Sequence, residues 1–326
     1  MKKVVIIATG GTIAMKKNNS GKSSPAIFGE KLIESVPCIR EIADFEIVNF
    51  SNFASCNMSP ENLIRLAKKV EDILKNKDIN GIVITHGTDT VEESAFFLEL
   101  TIDDERPIIF TAAQRDASEI DSDGPRNIKN AARIATDERA KNRGVMVSLN
   151  EEIFGALYVQ KTHTSNIKTF SSGEMGMIGY VDIDKICFYN FQKSKIKFKI
   201  PENFPVVIPI MAFTGMDSNL IEFCVRSGAR GIVIEAFGRG NVPPELEDGI
   251  LFAREKKIPV VITSRCYNGR VLPVYSYKGG SSRLKDFGCI FSEGLSTAKS
   301  RLLLGLALTQ TDDSSEIQDI FTNILC

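Results

Sequence analysis

Two loops carry hydroxyls where chemistry could use them. The β-branched apolar run Val4–Ala8 ends directly in Thr9-Gly10-Gly11-Thr12-Ile13-Ala14. Paired glycines permit a tight turn and close approach of backbone to a ligand, and here they leave a hydroxyl at a strand end. A second apolar run, Gly81–Thr85, ends in Thr85-His86-Gly87-Thr88-Asp89-Thr90, with Glu92 and Glu93 opening the next helix. A threonine thus stands beside a carboxylate, ahead of free helix N–H groups that suit an anion or a developing oxyanion. Each loop also has a plainer reading, a glycine turn in the first and a helix cap by Asp89 or Thr90 in the second. Capping and chemistry are compatible, because a capped loop is a rigid one. The third feature is Lys161, in Gln160-Lys161-Thr162-His163-Thr164-Ser165. A lysine among hydroxyls is ordinarily solvated. Folded over the first sheet it would lose hydration, its pKa would fall, and it could take a proton from a threonine.

Other chemistries fit less well. Gly21-Lys22-Ser23 resembles the end of a phosphate-binding loop, but Lys16 occupies the position of its first glycine and Pro25 follows where a helix should start. Gly238-Arg239-Gly240 resembles a dinucleotide turn, but Pro243 stands where the third glycine belongs. ATP and NAD are therefore disfavoured. There is no G-x-S-x-G, and the chain has only 2 histidines. His86, in a tight turn, reads as structural, and His163 leans the same way. Seven scattered cysteines without a C-x-x-C read as reduced, mostly buried thiols, and no metal site is expected.

The elements that must position these loops follow from apolar periodicity. Strands are expected at Val4–Ala8, Phe45–Phe50, Gly81–Thr85, Pro107–Ala113, Val145–Leu149 and Ala156–Val159. Helices are expected at Pro60–Asn76 behind a Ser59 cap, Val91–Leu100 and Arg126–Lys141. The alternation resumes with strands at Val206–Ile210, Gly231–Glu235 and Val260–Thr263, and helices at Asp217–Ser227, Glu245–Lys256, Thr297–Leu308 and Glu316–Ile324. Continuous apolar strands alternating with helices imply an α/β fold: a doubly wound, mostly parallel sheet in an N-terminal domain (1–191), a linker (192–205), and a smaller C-terminal α/β domain (206–326). Ligands in such sheets bind beyond the carboxyl ends of the strands, where the loops above lie. The segment Met15–Ser24 is too polar to pack and reads as a disordered loop or a mobile lid.

Composition bounds the partners. With 326 residues, 43% of them hydrophobic, and 40 basic against 41 acidic side chains, the chain is globular and without the positive field that nucleic acid requires. No apolar run approaches the ~20 residues of a membrane span. The opening Met-Lys-Lys and the short run after it do not resemble a secretory signal, so a cytoplasmic location is expected.

Together, Thr9–Ala14 and Thr85–Glu93 resemble the bacterial-type L-asparaginase family. Asp123-Gly124-Pro125, the Lys161 region, Gly238-Arg239-Gly240-Asn241 and Leu306–Thr311 extend the resemblance in family order over nearly the whole chain. It implies hydrolysis of L-asparagine to L-aspartate and ammonia, with no metal or cofactor. It implies that Thr12 is the nucleophile and that Thr88, Lys161 and Asp89 form a second triad. Gly11, Ser55, Thr88, Asp89, Ala113 and Asn241 would contact substrate. Asp89 would meet the α-ammonium, Ser55 the α-carboxylate, and the Ala113 carbonyl the departing amide nitrogen. Asn241 would reach in from a neighbouring subunit of a homotetramer built from close dimers.

The chain departs from the family in its first lid loop and in the second domain, where an expected family glutamate has no clear match. Many members carry a tyrosine in the first lid loop, whereas the first tyrosine here is Tyr158. The stretch Val274-Tyr275-Ser276-Tyr277-Lys278-Gly279-Gly280 resembles members that place a tyrosine in this C-terminal loop. Tyr277, or failing that Tyr275, is expected to supply the phenol. The plainer reading is two half-buried tyrosines on a strand. Three alternatives stand beside the asparaginase: a glutaminase or mixed enzyme, a transfer-RNA amidotransferase subunit, and a non-catalytic asparagine sensor. The amidotransferase subunit is disfavoured because it should carry a domain before the first strand. The sensor is disfavoured because all four central polar residues are present.

Overall fold

The computed structural model describes residues 1–17, 20, 22–25 and 29–324. The chain divides into two compact units, residues 1–200 and 201–326. Among the described residues no helix is long and apolar enough to cross a membrane.

In the first unit β1 (Lys3–Gly10) is buried from Val4 onward, as a strand covered on both faces must be. β2 (Met15–Lys17) and β3 (Ser23–Pro25) pair antiparallel, Met15 opposite Pro25 and Lys17 opposite Ser23. The supposed lid is thus a hairpin at its ends, while Asn18, Asn19 and Gly21 lie outside the described residues. Next come α1 (Gly29–Glu34), β4 (Asp44–Phe53) and α2 (Pro60–Leu74), whose Ser59 cap accepts the Asn62 N–H at 3.3 Å. β5 (Ile79–Thr85), α3 (Val91–Thr101), β6 (Ile108–Thr111), α4 (Gly124–Thr136) and β7 (Val145–Leu149) continue the alternation. The unit ends with β8 (Glu152–Gly155), β9 (Gln160–Lys161), β10 (Phe170–Ser171), β11 (Gly179–Val181) and β12 (Ile186–Phe188).

Eight strands form one sheet in the order β12-β11-β8-β7-β6-β5-β1-β4. The five from β4 to β7 are parallel and the remaining pairings are antiparallel. The chain order reverses around β1, which lies between β4 and β5. That reversal opens a crevice beyond the carboxyl ends of β1 and β5, where doubly wound sheets hold ligands.

Two local expectations fail. Residues 156–159 are not a strand: the chain turns after β8, and Ala156, Leu157 and Val159 are buried in that turn. A packed turn needs apolar residues as much as a strand does, so composition misleads there. α4 stops at Thr136, before Asp137, whose side chain accepts the Arg139 N–H that opens a separate short turn. The thiols are free where described, yet Cys38, Cys56 and Cys266 are exposed; Cys326 lies outside the described residues.

The lysine-rich stretch after β12 is tied down by one buried acid. Glu99, on α3, is fully buried and accepts the Val145 N–H at 2.6 Å, the Ser194 N–H at 2.7 Å and the Lys197 ammonium at 3.2 Å. Gly144 makes room for it, since a Cβ there would lie 2.5 Å from the carboxylate. Burial pushes the Glu99 carboxyl up and the Lys197 ammonium down, each partner opposing the other's shift. Phe198, also buried, donates its N–H to the Leu100 carbonyl at 2.8 Å.

The second unit is a parallel sheet of β13 (Val207–Met211), β14 (Gly231–Ala236), β15 (Val260–Ser264) and β16 (Ile290–Phe291), paired in that order. α5 (Asn219–Arg226), α6 (Leu246–Glu255) and α7 (Ser281–Asp286) connect successive strands, and α8 (Thr297–Ala307) and α9 (Ser314–Asn323) follow. Ile232, Ile234, Val260, Ile262, Ile250 and Leu284 belong to its buried core.

Candidate active site

Glycines let three strand-end loops meet. Gly10 and Gly11 hold φ of 106° and 82°, and the Gly11 N–H donates to the Phe53 carbonyl at 3.0 Å. A Cβ on Gly11 would lie 2.3 Å from the Gly87 nitrogen, and one on Gly87 would lie 2.6 Å from Ser55 Oγ. Backbone therefore packs on backbone between the loops after β1 and β5, with Ser55 from the turn after β4 against them. No side chain would fit in that contact. Thr12 opens a single 3₁₀ turn, half-buried, while Ile13 and Ala14 behind it are buried.

Thr88, Asp89 and Lys161 converge as side chains. The Lys161 ammonium donates to Thr88 Oγ1 at 2.8 Å and to Asp89 Oδ1 at 2.7 Å. β9 carries the lysine, paired with Phe170 of β10, and the Lys161 N–H donates to the Glu92 carboxylate in the first turn of α3. Thr88 is buried, whereas the Asp89 side chain is 63% exposed, so its carboxylate keeps an outward edge for a second cation. Thr90 donates its hydroxyl to the Ser55 carbonyl at 2.7 Å, which fixes the loop after β5 against buried Ser55. An ammonium has no lone pair, so charged Lys161 donates to Thr88. It becomes a base only after releasing a proton.

His86 supports the loop from beneath. Its Nδ1–H donates to the Gly87 carbonyl at 2.8 Å, which leaves Nε2 to accept from the Ser94 hydroxyl at 3.0 Å. Complete burial lowers its pKa to about 4. The folded state therefore holds a neutral imidazole that the unfolded state protonates near 6.5. Stability from this group is full above pH 6.5 and is lost as pH falls to about 4, by about 3 kcal/mol in all. Denaturation of wild type and His86→Gln across pH 4–7 should show this as a difference in slope, with the steeper loss in wild type. Equal slopes would refute it. His163 is engaged locally, its Nδ1 accepting the Ser165 and Asn166 N–H groups at 3.1 and 2.9 Å.

The loop after β6 is braced by Asp123, which accepts the N–H groups of Gln114 and Arg115 and the Asn127 side-chain amide at 3.0–3.2 Å. Buried Ala113 sits at the head of this brace. Gln114, overlooked in the sequence, enters the site: its Oε1 accepts the Thr88 hydroxyl at 3.3 Å and its Nε2 donates to the Asn166 carbonyl at 3.2 Å. Its one sequence signal is adjacency to Ala113.

Asn241 and Tyr277 belong to the second unit. Asn241 follows a tight turn bridged back to Phe237, and its Oδ1 accepts the Ser281 N–H at 3.1 Å. Tyr275 and Tyr277 are not on a strand. Both are exposed, on a loop that turns back through a 2.7 Å bond from the Gly280 N–H to the Tyr277 carbonyl, with their rings 5.7 Å apart.

Comparisons with known proteins agree with this architecture. Residues 3–193 match the model of the asparaginase N-terminal domain, and residues 206–321 that of the glutaminase/asparaginase C-terminal domain. L-asparaginase 2 of Bacillus subtilis is 37% identical over 97% of this chain and 85% of its own length. The glutaminase-asparaginase of Acinetobacter glutaminasificans is 31% identical over 98% and 99%. The crystal structure of a probable cytoplasmic L-asparaginase from Campylobacter jejuni superposes with a TM-score of 0.91, at 35% identity, over 99% of this chain and 100% of that one. With both domain models matched in order, and relatives similar over almost the full length, the chain belongs to the asparaginase family.

Proposed function

We propose that the protein hydrolyses L-asparagine to L-aspartate and ammonia, with Thr12 as nucleophile and Thr88, Lys161 and Asp89 as its proton-handling partners. The observation that carries this reading is the Lys161 ammonium held at once by Thr88 and Asp89, at 2.8 and 2.7 Å, beside the loop that presents Thr12. The Thr12 hydroxyl attacks the side-chain amide carbon. Its proton passes through the Thr88–Lys161 pair to the departing nitrogen, the C–N bond breaks, and ammonia leaves an aspartyl ester. Water then hydrolyses the ester and restores Thr12. The exposed edge of Asp89 receives the substrate's α-ammonium, Ser55 and Gly11 line the α-carboxylate end, and the Ala113 carbonyl accepts from the departing amide. Asn241 and Tyr277 complete the site from a neighbouring subunit of a homotetramer, in the cytoplasm. The scheme calls on no cofactor.

A relative named glutaminase-asparaginase supports a second reading, in which L-glutamine is also accepted. One methylene is worth only ~1–3 kcal/mol in a pocket, so the two substrates are expected to differ by roughly 10- to 200-fold in kcat/KM. Ammonia release from both amides, measured side by side, tests the proposal. Asparagine should lead by tenfold or more. Comparable rates would make this a mixed enzyme, and saturable asparagine binding without ammonia would make it a sensor.

A further inference from the structure

We infer that Gln114 is a positioning residue that sets the direction of the Thr88 hydroxyl proton; this rests on Thr88 and Lys161 acting together in the proposed reaction. Thr88 has one proton and meets two partners. Lys161, as an ammonium, can only donate to Thr88 Oγ1, so the Thr88 proton must go elsewhere. Gln114 Oε1 is there to accept it at 3.3 Å.

The amide cannot serve in the opposite orientation. Gln114 Nε2 donates to the Asn166 carbonyl, and a flipped amide would set oxygen against oxygen at that contact. Asn166 is itself held, its N–H bound by His163 Nδ1 at 2.9 Å and its side-chain Oδ1 accepting the Lys168 N–H at 2.9 Å. The Gln114 backbone is fixed from the other side by the Asp123 carboxylate. These contacts hold the Gln114 amide with Oε1 toward Thr88.

With Lys161 charged, the Thr88 proton points to Gln114. Once Lys161 is neutral, its lone pair competes for that proton, and the hydroxyl must turn away from Gln114 for transfer to occur. Gln114 thus favours the charged, resting state. Three other groups bear on Lys161. Asp89 binds its ammonium, Glu92 binds its backbone N–H, and His163 in its own loop is occupied by Ser165 and Asn166. Beside Gln114, Arg115 is paired with Asp121 at 2.8 Å, and Asp123 is occupied by backbone N–H groups.

Two variants separate this role from simple packing. Gln114→Met keeps the length and removes the acceptor, so the charged state loses support. The Lys161 titration should move to lower pH than in wild type. Gln114→Glu places a carboxylate within reach of the same hydroxyl, and the Lys161 pKa should rise. In Gln114→Glu, kcat for L-asparagine near neutral pH should fall about 10- to 100-fold with KM within about twofold of wild type, because Lys161 is held in the charged form that cannot take the Thr88 proton. Lys161 is titrated directly by NMR in protein labelled at the lysine side chains, its signal assigned by its absence from Lys161→Arg. This readout needs no turnover, so it decides the proposal even if wild type releases no ammonia, a result that would instead overturn the asparaginase reading. Shifts of opposite sign in the Met and Glu variants are the expected result. An unchanged Lys161 titration in Gln114→Met, folded with a wild-type Tm, would overturn the inference, as would a shift of the same sign in both.

Discussion

Thr12→Ala is expected to lower ammonia release from L-asparagine by about 10³-fold or more, with asparagine still bound and Tm unchanged within about 2 °C. The size follows from the proposed role of Thr12, since loss of a nucleophile in an acyl-transfer site forfeits the whole covalent route. The small stability effect follows from the half-buried position of Thr12 at the start of a short turn, where the buried residues are Ile13 and Ala14. Thr88→Ala should cost about 10²–10⁴-fold, the usual worth of positioned proton transfer. It should also release Lys161 from one of its two side-chain partners. Residues that act as a unit are not additive, so the double variant should be no slower than the slower single one. Steady-state ammonia assays with a binding titration suffice. Retention of more than a tenth of wild-type kcat by Thr12→Ala would remove it as nucleophile.

The largest expected stability effect lies away from the chemistry, at Glu99. Glu99→Ala leaves the Lys197 ammonium and the N–H groups of Val145 and Ser194 without their shared acceptor. Breaking one side of a buried ion pair costs about 3–5 kcal/mol. In a unit of this size that is a fall in Tm of roughly 6–20 °C. Glu99→Gln should cost less, because one carbonyl oxygen still accepts while the amide nitrogen opposes a backbone N–H. The pair is not irreplaceable. Glu99→Leu combined with Lys197→Met should recover part of the loss, since apolar side chains of similar volume carry no desolvation cost. Thermal denaturation of these variants checks the ordering, and a Glu99→Ala protein as stable as wild type would show that the strap 193–198 is held by something else.

Much of the site was legible as composition at strand ends. The pairing of Gly10 and Gly11 with Thr12, and of Gly87 with Thr88 and Asp89, follows from what tight turns demand. The observed φ values, and the 2.3 Å that would separate a Cβ on Gly11 from the Gly87 nitrogen, show why no other residue would serve. The structural role of His86 was legible too, from its place within such a turn, and its buried neutral ring is the physical form of it. Segments whose fate depends on packing partners were read less well. Ala156–Val159 has a strand's composition and a turn's conformation. The 275–277 tyrosines alternate as strand residues do, yet they stand exposed on a loop.

The sequence by itself determined the elements and the inventory: parallel strands from continuous apolar runs, helices from their caps and periods, and two threonine loops at strand ends. These are local properties, settled by backbone sterics and the side-chain period within a few residues. Only the tertiary structure decided which distant groups touch. Lys161 reaches Thr88 across 73 residues of chain, Ser194 reaches Glu99 across 95, and Gln114 meets Thr88 across 26. No local pattern encodes such contacts. They arise because the strand order reverses around β1, bringing loops remote in sequence to one end of the sheet, and because a buried polar group must find a partner wherever the fold supplies one.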